Sequence, residues 1–194
     1  MMFQKHKKAV LLFVLVIGVT LLLSLLEVIW RQWNEPQKTQ NQYELVGRLY
    51  YKDPDSSSVH SLPVVLELDL ERWEYQNPDK TEFFRGEMSL SAQENLIQKM
   101  EIRWIDSGKE YLFESWGGWD ERGESMIAVR RNFGSLIAGL FVGETELSDL
   151  QNQNVLVVAA AQKTKWSDVF EEFSGQKDVK DWLIRQGWQP GQQS

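Results

Sequence analysis

Residues 9–26, AVLLFVLVIGVTLLLSLL, carry no charge, and nothing else in this chain constrains its fold as strongly. Extended to Trp30 as a helix, the run measures about 33 Å at 1.5 Å per residue, enough to cross a bilayer. Lys5, Lys7 and Lys8 precede it, and Trp30 and Trp33 follow where amphipathic rings favour the membrane interface. Lysines before a span favour a cytoplasmic N-terminus and an exported remainder. A cleaved signal peptide is the alternative, but its apolar region usually runs about 7–15 residues and ends in an Ala-x-Ala-like site, which is absent here. Gly18 has no small residue four positions away, so no GxxxG pairing face is present. No ionisable residue interrupts the run, so the span reads as an anchor rather than a transport path.

From Asn34 onward the chain holds 17 Lys and Arg against 27 Asp and Glu, a net charge of −10. So acidic a surface repels phosphate backbones, and no basic stripe offsets it, which excludes nucleic acid as a partner. The absence of cysteine removes disulfides, thiolate nucleophiles and Cys-ligated metals, so an exported domain must rest on its hydrophobic core. No motif calls for a cofactor or a metal: P-loop, Rossmann glycine, GxSxG and HExxH patterns are all missing.

Beyond the polar, proline-containing NEPQKTQNQ the hydrophobic period changes to two. YELVGRLYY, LPVVLELDLERWEY, FFRGEMSLS, LIQKMEIRW, EYLFESW, SMIAVRRNF, SLIAGLFV and NVLVVAAA read as eight strands separated by turn chemistry such as QNPDK, DSGK and NFGS. SLIAGLFV and NVLVVAAA are apolar on both faces, which requires cover on both sides. KWSDVFEEFSGQKDVKDWLIRQGW supplies it, with helical spacing at Phe170 and Phe173 and at Val179, Trp182 and Leu183, Ser167 as N-cap and Gly175 as stop. A short helical turn is expected in ETELSDLQ. The expected fold is all-β, an antiparallel meander of about eight strands forming a barrel or sandwich, with one or two C-terminal helices and a single N-terminal transmembrane helix. The organisation is then 1–8 cytoplasmic stub, 9–30 signal anchor, 31–42 polar stalk, 43–162 extracytoplasmic β-domain and 163–194 helical segment packed on it.

Glu67, Asp69 and Glu71 alternate with Leu66, Leu68 and Leu70, so leucines and acids occupy opposite faces of one strand. A hairpin through Asn77-Pro78 that sets Glu71 against Arg85 also sets Leu68 against Met88 and Trp73 against Phe83, so the register is self-consistent. Outward acids two apart neither converge on one cation nor supply the buried, facing carboxyls of a glycosidase. Asp55, Ser57 and His60 are too close along one loop to form a nucleophilic triad.

The loop SWGGWDERGES is the candidate ligand or partner surface: Trp116 and Trp119 beside two glycines, with Asp120 and Arg122 as polar partners. Arg130 and Arg131 are a second candidate. One of the two shares a face with Ile127, Val129 and Phe133 and needs a carboxylate such as Glu114, or an anionic headgroup, to pair with. These features imply a membrane-anchored, non-enzymatic β-domain that binds a protein or glycan partner of the cell envelope. The alternatives are a barrel holding a small amphiphile, with an arginine at its mouth, and a carboxylate-dependent hydrolase of wall polymers.

Overall fold

Alternation of apolar and polar residues builds most of the structure, a computed structural model that describes residues 2–52, 58–117, 124–161 and 166–188. Helix α1 (Met2–Asn34) precedes strands β1 (Gln37–Lys52), β2 (Val59–Glu74), β3 (Phe83–Ala92), β4 (Asn95–Ile105), β5 (Tyr111–Gly117), β6 (Glu124–Arg130), β7 (Ser135–Val142) and β8 (Gln153–Ala160). A 3-10 turn (Ser148–Leu150) lies between β7 and β8, within the stretch expected to make a helical turn, and helices α2 (Trp166–Ser174) and α3 (Lys177–Arg185) end the described chain. Two compact units divide it: Met1–Gln37 with Glu74–Thr81, and Lys38–Trp73 with Glu82–Ser194.

In the first unit, α1 is long and apolar enough over Val10–Asn34 to cross a membrane, and its side chains from Val10 to Trp33 are exposed. Arg31 pairs with Glu27 at 3.0 Å. The Asn77 amide donates to Asn34 Oδ1 at 3.1 Å, joining the tip of the β2–β3 hairpin to the last turn of the helix.

The second unit is one antiparallel eight-stranded sheet curled into a half-barrel, in the order β4-β3-β2-β1-β8-β7-β6-β5. Pairing of β1 with β8 joins the two ends of the meander, Val46 opposite Ala160 through Tyr51 opposite Val155. Every neighbour pair of an up-and-down eight-stranded barrel is therefore present except one. β4 and β5, consecutive in sequence, do not pair.

The inner face of the curl packs one core from all eight strands, including Leu45, Leu66, Leu68, Leu70, Met88, Trp104, Ile127 and Val157. Each fully buried aliphatic side chain there contributes about 1.5–3 kcal/mol. Phe133 enters this core from the β6–β7 turn, with ring centroids 4.7 Å from Tyr43, 5.0 Å from Phe84 and 5.9 Å from Trp104. On the outer face, Met126, Ala128, Ile137, Leu156 and Val158 pack beneath Phe170, Phe173, Val179, Trp182 and Leu183 of the two helices. That is the two-sided cover that SLIAGLFV and NVLVVAAA require.

The β2–β3 register places Leu68 opposite Met88, Glu71 opposite Arg85 and Trp73 opposite Phe83, as alternation demands. Trp73 stacks on Phe83 at 5.1 Å, and Trp104 and Trp182 are buried. Two details differ from expectation. β1 begins at Gln37, inside the stretch read as a stalk, because its polar side chains find partners along β2: Gln40 donates to Asp69 at 3.0 Å, and Lys38 lies 3.6 Å from Glu71 and over the Trp73 ring. Helix α2 starts at Trp166, so Ser167 falls within its first turn and donates to Asp168 at 3.1 Å instead of capping it. Gly175 follows the end of α2, as a stop should.

Candidate functional site

Alternate residues of a strand point their backbone N–H and C=O to the same side, which identifies the groups facing the gap between β4 and β5. In β4 the even-numbered residues serve β3, so the odd-numbered Glu101, Arg103 and Ile105 face the seam, where the Arg103 N–H favours the charged form of the Glu114 carboxylate. Consistently, the Asp106 N–H turns the other way and donates to Glu82 O at 2.8 Å. In β5 the Arg131 N–H donates to Glu110 O at 2.8 Å, so the even residues serve β6, and Tyr111, Phe113 and Ser115 face the seam. Two strand edges thus present their main-chain groups toward one another without a ladder between them.

One end of the seam is pinned. The Asp106 side chain, 1 % exposed, lies 2.8 Å from Arg131 and 3.5 Å from Arg72, which also reaches Glu82 at 3.3 Å. The Gly108 N–H donates to the second Asp106 oxygen at 3.0 Å and shapes the β4–β5 turn. Leaving this buried carboxylate unpaired would cost several kcal/mol, so the network resists opening at the turn.

Away from that end, a groove of about 610 Å³ runs along the seam to the start of α3. Its lining includes Arg103, Ile105, Tyr111, Phe113 and Ala128 from the strands, with Asp178 and Val179 from α3 and Gln176 just ahead of it. Ile105 is 61 % exposed and Phe113 38 %, an apolar pair on the two unpaired edges. Burial pushes the Glu114 carboxyl above its usual range, opposed by the Arg103 N–H and by the Arg103 charge. Trp104 also lines the groove, and its indole N–H is buried without a hydrogen-bond acceptor. Such an orphaned donor costs about 1–3 kcal/mol.

The residues singled out from sequence are placed as follows. Trp116 stands on β5 opposite Ser125. Its side chain lies outside the described residues, as do Trp119, Asp120 and Arg122. Arg130 pairs with Glu110 at 2.9 Å and Glu172 at 3.5 Å. Arg131 takes Asp106, so neither arginine uses the expected Glu114, which faces the seam and Arg103 instead. Glu67 and Asp69 are exposed on the face away from the leucines, and Glu87 across the hairpin pairs with Lys99 at 2.9 Å. His60 is exposed and stacks on Tyr51 at 5.5 Å, while Asp55 and Ser57 lie outside the described residues.

Fold and site together define an incompletely closed β-barrel that follows an apolar helix able to span a membrane. No protein-family model, curated protein or solved structure matches the chain.

Proposed function

We propose that this is a single-span protein of the cell membrane, N-terminus cytoplasmic, whose external β-domain binds an extended segment of a protein partner along the β4–β5 seam. The observation that carries the reading is the pair of unladdered edges flanking a groove with an apolar floor. An added strand gains affinity from main-chain hydrogen bonds and specificity from alternate side chains. Exposed, unpaired edges are otherwise a hazard that folded proteins cover or blunt. Ile105 and Phe113 offer apolar contact, and Arg103, Glu110 and Asp178 supply a polar rim. The anchor is supported by the lysines ahead of the span and the tryptophans behind it.

The amphiphile-carrier reading gains no support from an inner face already filled by Leu, Phe and Trp side chains. The hydrolase reading gains none from acids that alternate outward along β2.

The test uses a photocrosslinking amino acid at Phe113 in intact cells, with and without Glu101→Pro. Proline at an edge position removes only the N–H facing the seam and is tolerated there. Crosslinking to a defined partner segment that disappears in the proline variant, with unfolding unchanged, supports strand addition. Equal crosslinking in both refutes it.

A further inference from the structure

We infer that the β2–β3 hairpin tip, residues 74–81, is a second membrane contact, seated in the headgroup layer beside the end of α1. The inference rests on the anchor reading and adds to it a lipid-binding role for a segment remote from the span in sequence.

A hydrocarbon core of about 30 Å is filled by α1 from Val10 to Trp30, and the polar layer outside it is about 5–8 Å thick. Four residues past Trp30, at 1.5 Å each, put Asn34 about 6 Å into that layer. The hairpin tip is tied to this level by a relay of amides. Asn77 Nδ2 donates to Asn34 Oδ1 at 3.1 Å, and Asn34 Nδ2 donates to Trp30 O at 2.9 Å.

The tip is rigid enough to hold that position. The Asp79 N–H donates to Asn77 Oδ1 at 3.0 Å and the Lys80 N–H to Asn77 O at 3.0 Å, so one asparagine both builds the turn and docks it. Its chemistry suits an interface. The Tyr75 ring lies 5.8 Å from the Lys80 ammonium, and aromatic rings with long cations favour the headgroup region. Glu74 and Asp79 outnumber Lys80, so the tip is acidic. Its fit is therefore to zwitterionic headgroups, whose outer ammonium meets carboxylates, and not to anionic ones, which repel them.

The chain has no cysteine, so single labels need no background removal. Full-length Q76C and L22C are spin-labelled and reconstituted into phosphatidylcholine vesicles, and collision rates with oxygen and with a water-soluble nickel complex are compared. Gln76 is exposed and uncharged, so the label leaves the acidic groups of the tip in place. The inference predicts a ratio at position 76 between that of position 22 and that of a label free in water. It also predicts a shift toward the water value when a third of the lipid is exchanged for phosphatidylglycerol. A deep value at position 22 with a water value at position 76 overturns the inference and leaves the anchor standing. Water values at both positions overturn the anchor and the inference together.

Discussion

Phe133 adopts φ 55°, the left-handed region, at a position where glycine would be the ordinary choice. The turn accepts this conformation because it delivers the ring into the inner core, where it is 2 % exposed and meets Tyr43, Phe84 and Trp104. Phe133→Ala deletes the ring and keeps the backbone strain, at a cost of about 3–5 kcal/mol. Phe133→Gly deletes the same ring and relieves about 1–2 kcal/mol of left-handed strain. Against that relief stands the greater freedom of glycine in the unfolded chain, about 0.5–1 kcal/mol. The glycine variant should therefore be the more stable of the two by about 0.5–1 kcal/mol, the reverse of the order at an ordinary position. Urea unfolding of the intact chain in nonionic detergent, followed by tryptophan fluorescence, measures both differences. A Phe133→Ala cost below about 1 kcal/mol, or glycine less stable than alanine, would refute the reasoning that the ring plugs the core at the expense of its backbone.

Gly139 lies directly beneath the Trp182 ring, so a Cβ there would overlap it, and Gly139→Ala should cost about 1–3 kcal/mol and shift the near-ultraviolet circular dichroism as α3 lifts. The two-residue β3–β4 turn holds Gln93 at φ 49° and Glu94 at φ 67°, so replacement by Asn-Gly should raise the unfolding midpoint by about 1 kcal/mol of stability. Tyr111 is pushed up from its usual 10.0 to about 12 by burial and by donating to Glu172 at 2.9 Å. A phenol raised in this way stabilises the fold below pH 10 and loses that contribution as pH climbs from 10 to 12. The full shift would be worth nearly 3 kcal/mol, and solvent screening at a half-buried ring leaves about 1 kcal/mol. Wild type should lose that much more than Tyr111→Phe over the same interval, and parallel pH profiles would contradict the assignment.

The β2–β3 register was legible because closing the hairpin through Asn77-Pro78 with Glu71 against Arg85 sets Leu68 against Met88 and Trp73 against Phe83 at once. The helical cover was legible because SLIAGLFV and NVLVVAAA leave no wet face. The open seam was not. DSGK signals an ordinary hairpin, and nothing local shows that Glu114 would turn toward the gap or that Asp106 would pin the turn to Arg72 and Arg131. The Asp106 contacts join residues 25 or more positions apart, beyond the reach of periodicity. The start of β1 was hidden for the same reason, since Lys38 and Gln40 gain their strand partners only from β2. Nor does NFGS reveal that its phenylalanine, and not its glycine, takes the left-handed conformation.

The most direct test of the open seam is amide hydrogen exchange on the purified chain, resolved by residue. Alternation across the two edges is the prediction. Met100, Ile102, Trp104 and Leu112, whose N–H groups serve β3 or β6, should be protected, whereas Glu101, Ile105, Phe113 and Ser115 should exchange at rates near those of an unfolded peptide. Protection of both sets would mean a closed β4–β5 ladder and would leave no edge for a partner to join.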